Sequence, residues 1–266
     1  IVARVSGLSF EDYCRQHLFL PMGMKETCFL PDSKLKGRIA PTTLLADGKV
    51  LRGIVHDPTA RRMGGVAGHA GLFSTAEDLA RYARMLLNGG SHEGRQILKL
   101  ETVRLMSSVQ SLSNISAQRG LGFDINSPDA SLRGELFPNG SFGHTGWTGT
   151  SMWIDPASRT FVIFLSNRNH PSGGDVLALR RKLGTLAARA TGFEFSKIKK
   201  TLPAVVRRSS KLLNVLNGID VLERDQFAPL AGLRVGLITN QTGINRKRVS
   251  TIDLLDRSKK VDLKLL

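Results

Sequence analysis

The chain has 266 residues, 41% of them hydrophobic and 23% charged, with a formal net charge of +16. That is an ordinary globular composition, which excludes a disordered or low-complexity chain, and the length suggests one or two domains. No apolar run reaches the roughly 18 residues that span a bilayer, so no transmembrane segment is expected.

The chain opens Ile1-Val2-Ala3 without a Met, and is therefore expected to be a fragment or processed product whose targeting segment is not visible. Ser9-Phe10-Glu11-Asp12 is a capping sequence. Phe10, Tyr13, Cys14, His17 and Leu18 follow on one helical face, which Pro21 ends. Cys14 lies on that face and is expected as a small buried hydrophobe; its spacing from Cys28 fits no zinc or redox pattern, and a disulfide between them is left open. A polar, turn-rich stretch runs to about residue 68. Ser74-Thr75-Ala76-Glu77 is a capping box, with Ser74 expected to accept from the Glu77 amide. Leu79, Tyr82, Ala83 and Leu86 form the apolar face of the helix, and Asn88-Gly89-Gly90 ends it. A short helix is expected near 99–107.

From Ser141 the pattern changes to strand, turn, strand: Ser151-Met152-Trp153-Ile154, then Asp155-Pro156-Ala157-Ser158, then Phe161-Val162-Ile163-Phe164-Leu165. The second run is apolar throughout, as in a strand covered on both faces. Val176, Leu179, Leu183 and Leu186 give helical spacing over 175–190. Residues 193–213 form a basic linker, with Lys197, Lys199, Lys200, Arg207, Arg208 and Lys211 around Pro203. Residues 195–266 carry 15 Lys+Arg against 6 Asp+Glu. No nucleic-acid module accompanies this charge, so a solvated basic surface is expected and no nucleic-acid partner. Residues 214–266 begin a new unit, with the β-rich run Arg234-Val235-Gly236-Leu237-Ile238-Thr239 before Asn240-Gln241-Thr242-Gly243. About 50 residues are too few for an independent core of this kind, so this unit is expected to continue beyond Leu266.

The segment with most chemistry is Phe142-Gly143-His144-Thr145-Gly146-Trp147-Thr148-Gly149-Thr150. A Gly-rich run opening a strand lets a ligand lie against the backbone. His144 adds a titratable group, Thr145 a hydroxyl, and the main chain its amide donors. His56-Asp57 and Gly68-His69-Ala70-Gly71 show no third ligand in coherent spacing, so no metal site is expected.

With Gly71-Leu72-Phe73-Ser74-Thr75-Ala76-Glu77-Asp78-Leu79 and Leu20-Pro21-Met22-Gly23-Met24, this segment resembles the serine β-lactamase/penicillin-binding superfamily, in its class C and D-alanyl-D-alanine carboxypeptidase-like branch, over residues 1–192. The resemblance implies an α+β fold: an antiparallel sheet flanked by helices, incomplete here. It implies no cofactor. His144-Thr145-Gly146 matches the family's Lys-Thr-Gly motif with His for Lys. By that match Thr145 contacts a substrate carboxylate or backbone, and the Trp147 amide is half of an oxyanion hole. His144, Thr145 and the Trp147 amide are thus expected to line one cleft at a sheet edge. His69 either lines the cleft or makes loop hydrogen bonds.

The family's Ser-x-x-Lys and Tyr-x-Asn motifs are expected upstream. The tetrads Ser33-x-x-Lys36 and Ser196-x-x-Lys199 stand in the wrong places to replace the first, so this chain alone is expected to be inactive. Residues 214–266 resemble the start of an exo-β-N-acetylmuramidase-type domain, which implies the opening of an α/β Rossmann-like unit with Asn240 after its first strand, either near a ligand or in a plain turn. The implied partners are peptidoglycan fragments or β-lactam and ester small molecules, and the implied location is periplasmic or extracellular. The competing reading is a non-catalytic peptidoglycan-binding module of the same fold.

Overall fold

The structure is a computed structural model that describes residues 1–112, 114–198, 216–237 and 243–265. Two compact units result, Ile1–Arg207 and Arg208–Leu266. In chain order the first contains α1 (Val2–Ser6), α2 (Phe10–Cys14), β1 (Thr43–Leu44), β2 (Val50–Leu51), α3 (Pro58–Arg62), α4 (Ala76–Leu87), β3 (Ser91–His92), β4 (Arg95–Gln96) and α5 (Leu100–Met106). There follow β5 (Gln118–Arg119), β6 (Asp124–Asn126), β7 (Phe142–Thr145), β8 (Ser151–Asp155), β9 (Thr160–Phe164) and α6 (Leu177–Ala190).

Strands β5 to β9 form one antiparallel sheet whose spatial order is their chain order. Its core face is set by alternation. Phe123 and Ile125 stand two apart, Phe142 pairs with Ile154, and Ile154 pairs with Phe161. These residues pack with Ala83, Met85 and Leu86 of α4 and with Met22, Met24 and Phe29 from the segment after α2. The Phe123 and Phe142 rings meet at 5.0 Å.

Helix α2 is capped by Ser9, whose side chain accepts from the Asp12 amide, and it runs on as a π-turn over Arg15–Phe19. Cys14 is buried, and both cysteines are free, which closes the disulfide alternative. Helix α4 is capped one residue later than its sequence suggests: Thr75, not Ser74, accepts from an amide, that of Asp78. Ser74 is occupied by the Thr27 hydroxyl at 2.8 Å, and Glu77 reaches forward to Arg81. The buried Asp78 carboxylate takes the Glu26 amide and the Thr27 hydroxyl at 2.9 and 2.8 Å, tying this helix start to the earlier segment.

Two apolar assignments change. Strand β9 ends the sheet order and is part-buried at every position, although α4 and α6 both contact it. The buried face of α6 is Arg180, Gly184, Thr185 and Ala188, while Leu179 and Leu186 are exposed. The reason is close approach: a Cβ at Gly184 would overlap the Arg133 carbonyl oxygen, so backbone packs where a leucine cannot.

Beyond α6, the rings of Phe193 and Phe195 meet at 5.0 Å, and Phe195 meets Phe137 edge-on at 5.6 Å. Phe195, within the stretch read as linker, therefore packs on Phe137 inside the first unit, and residues 199–213 of that stretch lie outside the described residues. The second unit contains α7 (Gly218–Arg224), β10 (Arg234–Gly236), α8 (Thr251–Asp256) and β11 (Asp262–Leu265). Strands β10 and β11 pair in parallel with α8 between them in the chain. Among the described residues no helix is long and apolar enough to cross a membrane.

Candidate active site

Strand β7 is central rather than at an edge: it is the third of five strands in the sheet. Its edges differ, however. Against β8 all four residues are in register, from Phe142↔Ile154 to Thr145↔Ser151. Against β6 only Gly143 is paired, with Asp124, which leaves the His144-Thr145 half open on that flank. Gly143 is required at the crossing, because a Cβ there would run into the Met152 carbonyl oxygen and the Trp153 ring.

His144 is exposed and both of its ring nitrogens are engaged. Arg119 of β5 lies 2.8 Å from Nε2, and the Thr145 carbonyl oxygen 2.7 Å from Nδ1. A guanidinium only donates and a carbonyl only accepts. These partners therefore assign a neutral imidazole, with its hydrogen on Nδ1 and a lone pair on Nε2. Arg119 is held in turn: its Nε is 3.3 Å from Oδ1 of Asp124, which is 1% exposed and also accepts from the Ser127 hydroxyl at 2.8 Å. The Thr145 side chain is part-buried, and its hydroxyl makes no hydrogen bond to a described residue.

The turn after β7 is fixed from three sides. The Gly146 amide donates to Thr150 and the Gly149 amide to Gly146, the Arg168 amide donates to the Thr148 carbonyl, and the Ser166 hydroxyl donates to that of Gly149. From α6, Nη2 of the buried Arg180 donates to the Gly146 and Thr150 carbonyls at 2.9 and 2.7 Å. Burial, then the neighbouring Arg168 charge, holds Arg180 below the usual guanidinium range. Trp147 projects from the turn 71% exposed, with the Arg168 guanidinium 5.0 Å from its ring centroid. Its backbone amide has no acceptor among the described residues.

His69 bonds Asp57 at 3.1 Å on the surface, where Asp57 also caps α3 through the Ala60 amide; that amide and His69 hold its carboxyl low. It is His56, not His69, that reaches the segment after β9, meeting Asn169 at 3.4 Å. Burial, then the Arg61 charge, lowers the His56 pKa. Asn240 lies outside the described residues. Ser33 sits exposed in a 3-10 turn beside Asp32, and Ser196 in another, and neither has a described lysine or histidine hydrogen-bonded to it. Among the described residues no group of His, Cys, Asp and Glu is placed to hold a metal ion. Arg119 and Arg180 carry no sequence signal of their own, because each reaches its partner across 25 or more residues, and the reach of His56 to Asn169 spans 113.

The Beta-lactamase family model matches residues 1–187. The chain belongs to the β-lactamase family. A protein of Escherichia coli (strain K12) named "Putative D-alanyl-D-alanine carboxypeptidase" is 34% identical over 197 residues, covering 66% of this chain and 44% of that protein. One of the same name from Salmonella enteritidis PT4 is 32% identical over 190 residues, covering 64% and 43%. The chain thus spans less than half the length of these relatives. Simvastatin synthase (LovD) from Aspergillus terreus shares the fold, with a TM-score of 0.54 at 20% identity over 71% of this chain and 52% of that one. The sheet and its flanking helices thus have the β-lactamase-type fold.

Proposed function

We propose that residues 1–192 are the C-terminal part of a serine acyl hydrolase domain acting on D-alanyl-D-alanine-type peptides, β-lactams or esters. The observation that carries this reading is the half-open strand β7 with its pinned turn. It offers the Thr145 hydroxyl and the Trp147 amide, neither bonded to a described residue, two positions apart on one stretch of backbone. In acyl transfer, a serine attacks the scissile carbonyl and its oxygen becomes an oxyanion. A fixed N–H at that oxygen stabilises the transition state more than the ground state. The Trp147 amide supplies that donor, and the Thr145 hydroxyl binds the substrate carboxylate or backbone. The names of the E. coli and Salmonella relatives favour the carboxypeptidase substrate class.

In this reading the nucleophile and its base belong to the whole protein rather than to these 266 residues, since no described lysine or histidine is hydrogen-bonded to Ser33 or Ser196. The parallel β10–α8–β11 unit supports the reading of residues 214–266 as the start of a Rossmann-like, N-acetylmuramidase-type glycosidase domain. Wall fragments in the periplasm or outside the cell are then the substrates of both halves. The second reading, a non-catalytic peptidoglycan binder, is favoured only by the solvent-facing placement of Ser33 and Ser196.

The test is mass spectrometry for an acyl adduct, with release of D-alanine from N-acetyl-D-alanyl-D-alanine and hydrolysis of a chromogenic cephalosporin. The 266-residue chain is expected to give none of these signals and the whole protein at least one. A stoichiometric adduct on Ser33, Ser196 or another serine of this chain overturns the proposed source of the nucleophile. A whole protein that binds wall fragments and turns over none of the three overturns the hydrolase reading.

A further inference from the structure

A strand that is to meet an anionic group needs a cation, and at the motif position stands His144, which its partners make neutral. We infer that Arg119 is the cationic group of this strand and the positioning residue of His144: it holds the ring in the Nδ1–H form and presents its own remaining N–H groups at the open flank.

The geometry carries each part. The Nη2 of Arg119 donates to His144 Nε2 at 2.8 Å, so the ring can keep this contact only while Nε2 is bare. Protonating Nε2 would remove the acceptor and set two cations side by side. The guanidinium does not wander, because its Nε faces the Asp124 carboxylate at 3.3 Å and that carboxylate is buried and further fixed by Ser127. A guanidinium has five N–H donors in a planar fork. One goes to His144, Nε lies within ion-pair distance of Asp124 at 3.3 Å, and the others have no described acceptor on a side chain that is 43% exposed. Residues of three adjacent strands, Arg119 on β5, Asp124 on β6 and His144 on β7, thus make one chain of contacts across the flank where β7 is unpaired. A planar fork there suits a carboxylate, which it can grip through two parallel bonds, as a point charge cannot. While Arg119 donates to Nε2, the lone pair of that nitrogen is occupied.

This inference rests on the proposed role of the strand only for the ligand, and the two are separable by experiment. Nitrogen-15 NMR of the histidine rings, with His144 assigned by loss of its signals in His144→Gln, reads the tautomer without any substrate. In the unsubstituted chain Nδ1 is expected at the protonated position and Nε2 at the bare one. In Arg119→Met both resonances should move toward a common average, and Arg119→Lys, which keeps a donor but not the fork, should restore part of the separation. A protonated Nε2 in the unsubstituted chain overturns the inference. So does an unchanged Nδ1–H form in Arg119→Met, which would mean that the Thr145 carbonyl alone sets the ring. Adding N-acetyl-D-alanyl-D-alanine or its C-terminal amide then tests the ligand: the Arg119 side-chain resonances should shift with the acid and not with the amide. Equal shifts with both probes overturn the cationic role. No shift with either, with the tautomer as expected, instead counts against the substrate class proposed for the strand.

Discussion

Arg180 offers the sharpest test of how the turn is held. Replacing it by Met keeps most of the apolar stem and removes two charge-assisted hydrogen bonds, those to the Gly146 and Thr150 carbonyls at 2.9 and 2.7 Å. Bonds of this type are worth about 1.5–3 kcal/mol each, a gross loss of roughly 3–6 kcal/mol. Against this stands relief. The buried Nε has no partner and the Arg168 charge lies close, and removing an orphaned buried donor returns about 1–3 kcal/mol. Taking the middle of both ranges, the net expectation is a destabilisation of about 2–3 kcal/mol. Both tryptophans, Trp147 and Trp153, belong to the first unit, so urea unfolding followed by their emission reports on that unit alone. Hydrogen exchange at the Gly146 and Gly149 amides should accelerate in the same variant, since both bonds close the turn that Arg180 braces. A loss below about 1 kcal/mol, with unchanged exchange at those amides, would show that the hairpin holds the turn without Arg180 and would refute the reasoning.

Tyr82 packs against the core, and burial pushes its phenol up to about 12 from the ordinary value of 10.0. The folded state thus keeps the proton longer, so this contribution is complete below pH 10 and falls away as pH rises toward 12, by roughly 2–3 kcal/mol. Tyr82→Phe should flatten the stability profile over that window, and an unaltered slope would exclude Tyr82 as its source. On α6, Leu179→Gln should change stability by less than about 0.5 kcal/mol because Leu179 is exposed. Gly184→Ala should cost about 1–3 kcal/mol or more, since its Cβ would overlap the Arg133 carbonyl oxygen. The opposite ranking by thermal unfolding would mean that the helix buries its leucines after all.

What was legible in the sequence was local. The β8–β9 hairpin showed itself through two apolar runs around Asp155-Pro156, and α4 through its 3.6-residue spacing and the Asn88-Gly89 stop. The Gly-flanked strand with His144 was visible because its residues are adjacent. What failed depended on partners from elsewhere. The buried face of α6 is set by the backbone at Arg133, which no helical periodicity encodes. The cap of α4 moved to Thr75 because Thr27, 47 residues earlier, occupies Ser74. Arg119 stands 25 residues before His144, so the contact that fixes the ring is invisible until the strands are paired. The centrality of β7 was missed for the same reason: β5 and β6 are two and three residues long and carry no alternation long enough to announce a strand.

The sequential order of the sheet has a kinetic meaning. Strands β7, β8 and β9 are joined by the short connections 146–150 and 156–159, whereas β6 reaches β7 through residues 127–141. Closing a chain of that length instead of a four-residue one costs about 1 kcal/mol more in loop entropy. The three-strand piece that carries His144 and the turn therefore assembles from contacts near in sequence, the fast class of folding event. Joining β6 and β5 to it is then the expected later closure, the one that brings Arg119 beside the imidazole. On that ordering the backbone of the site takes shape before its electrostatics are complete.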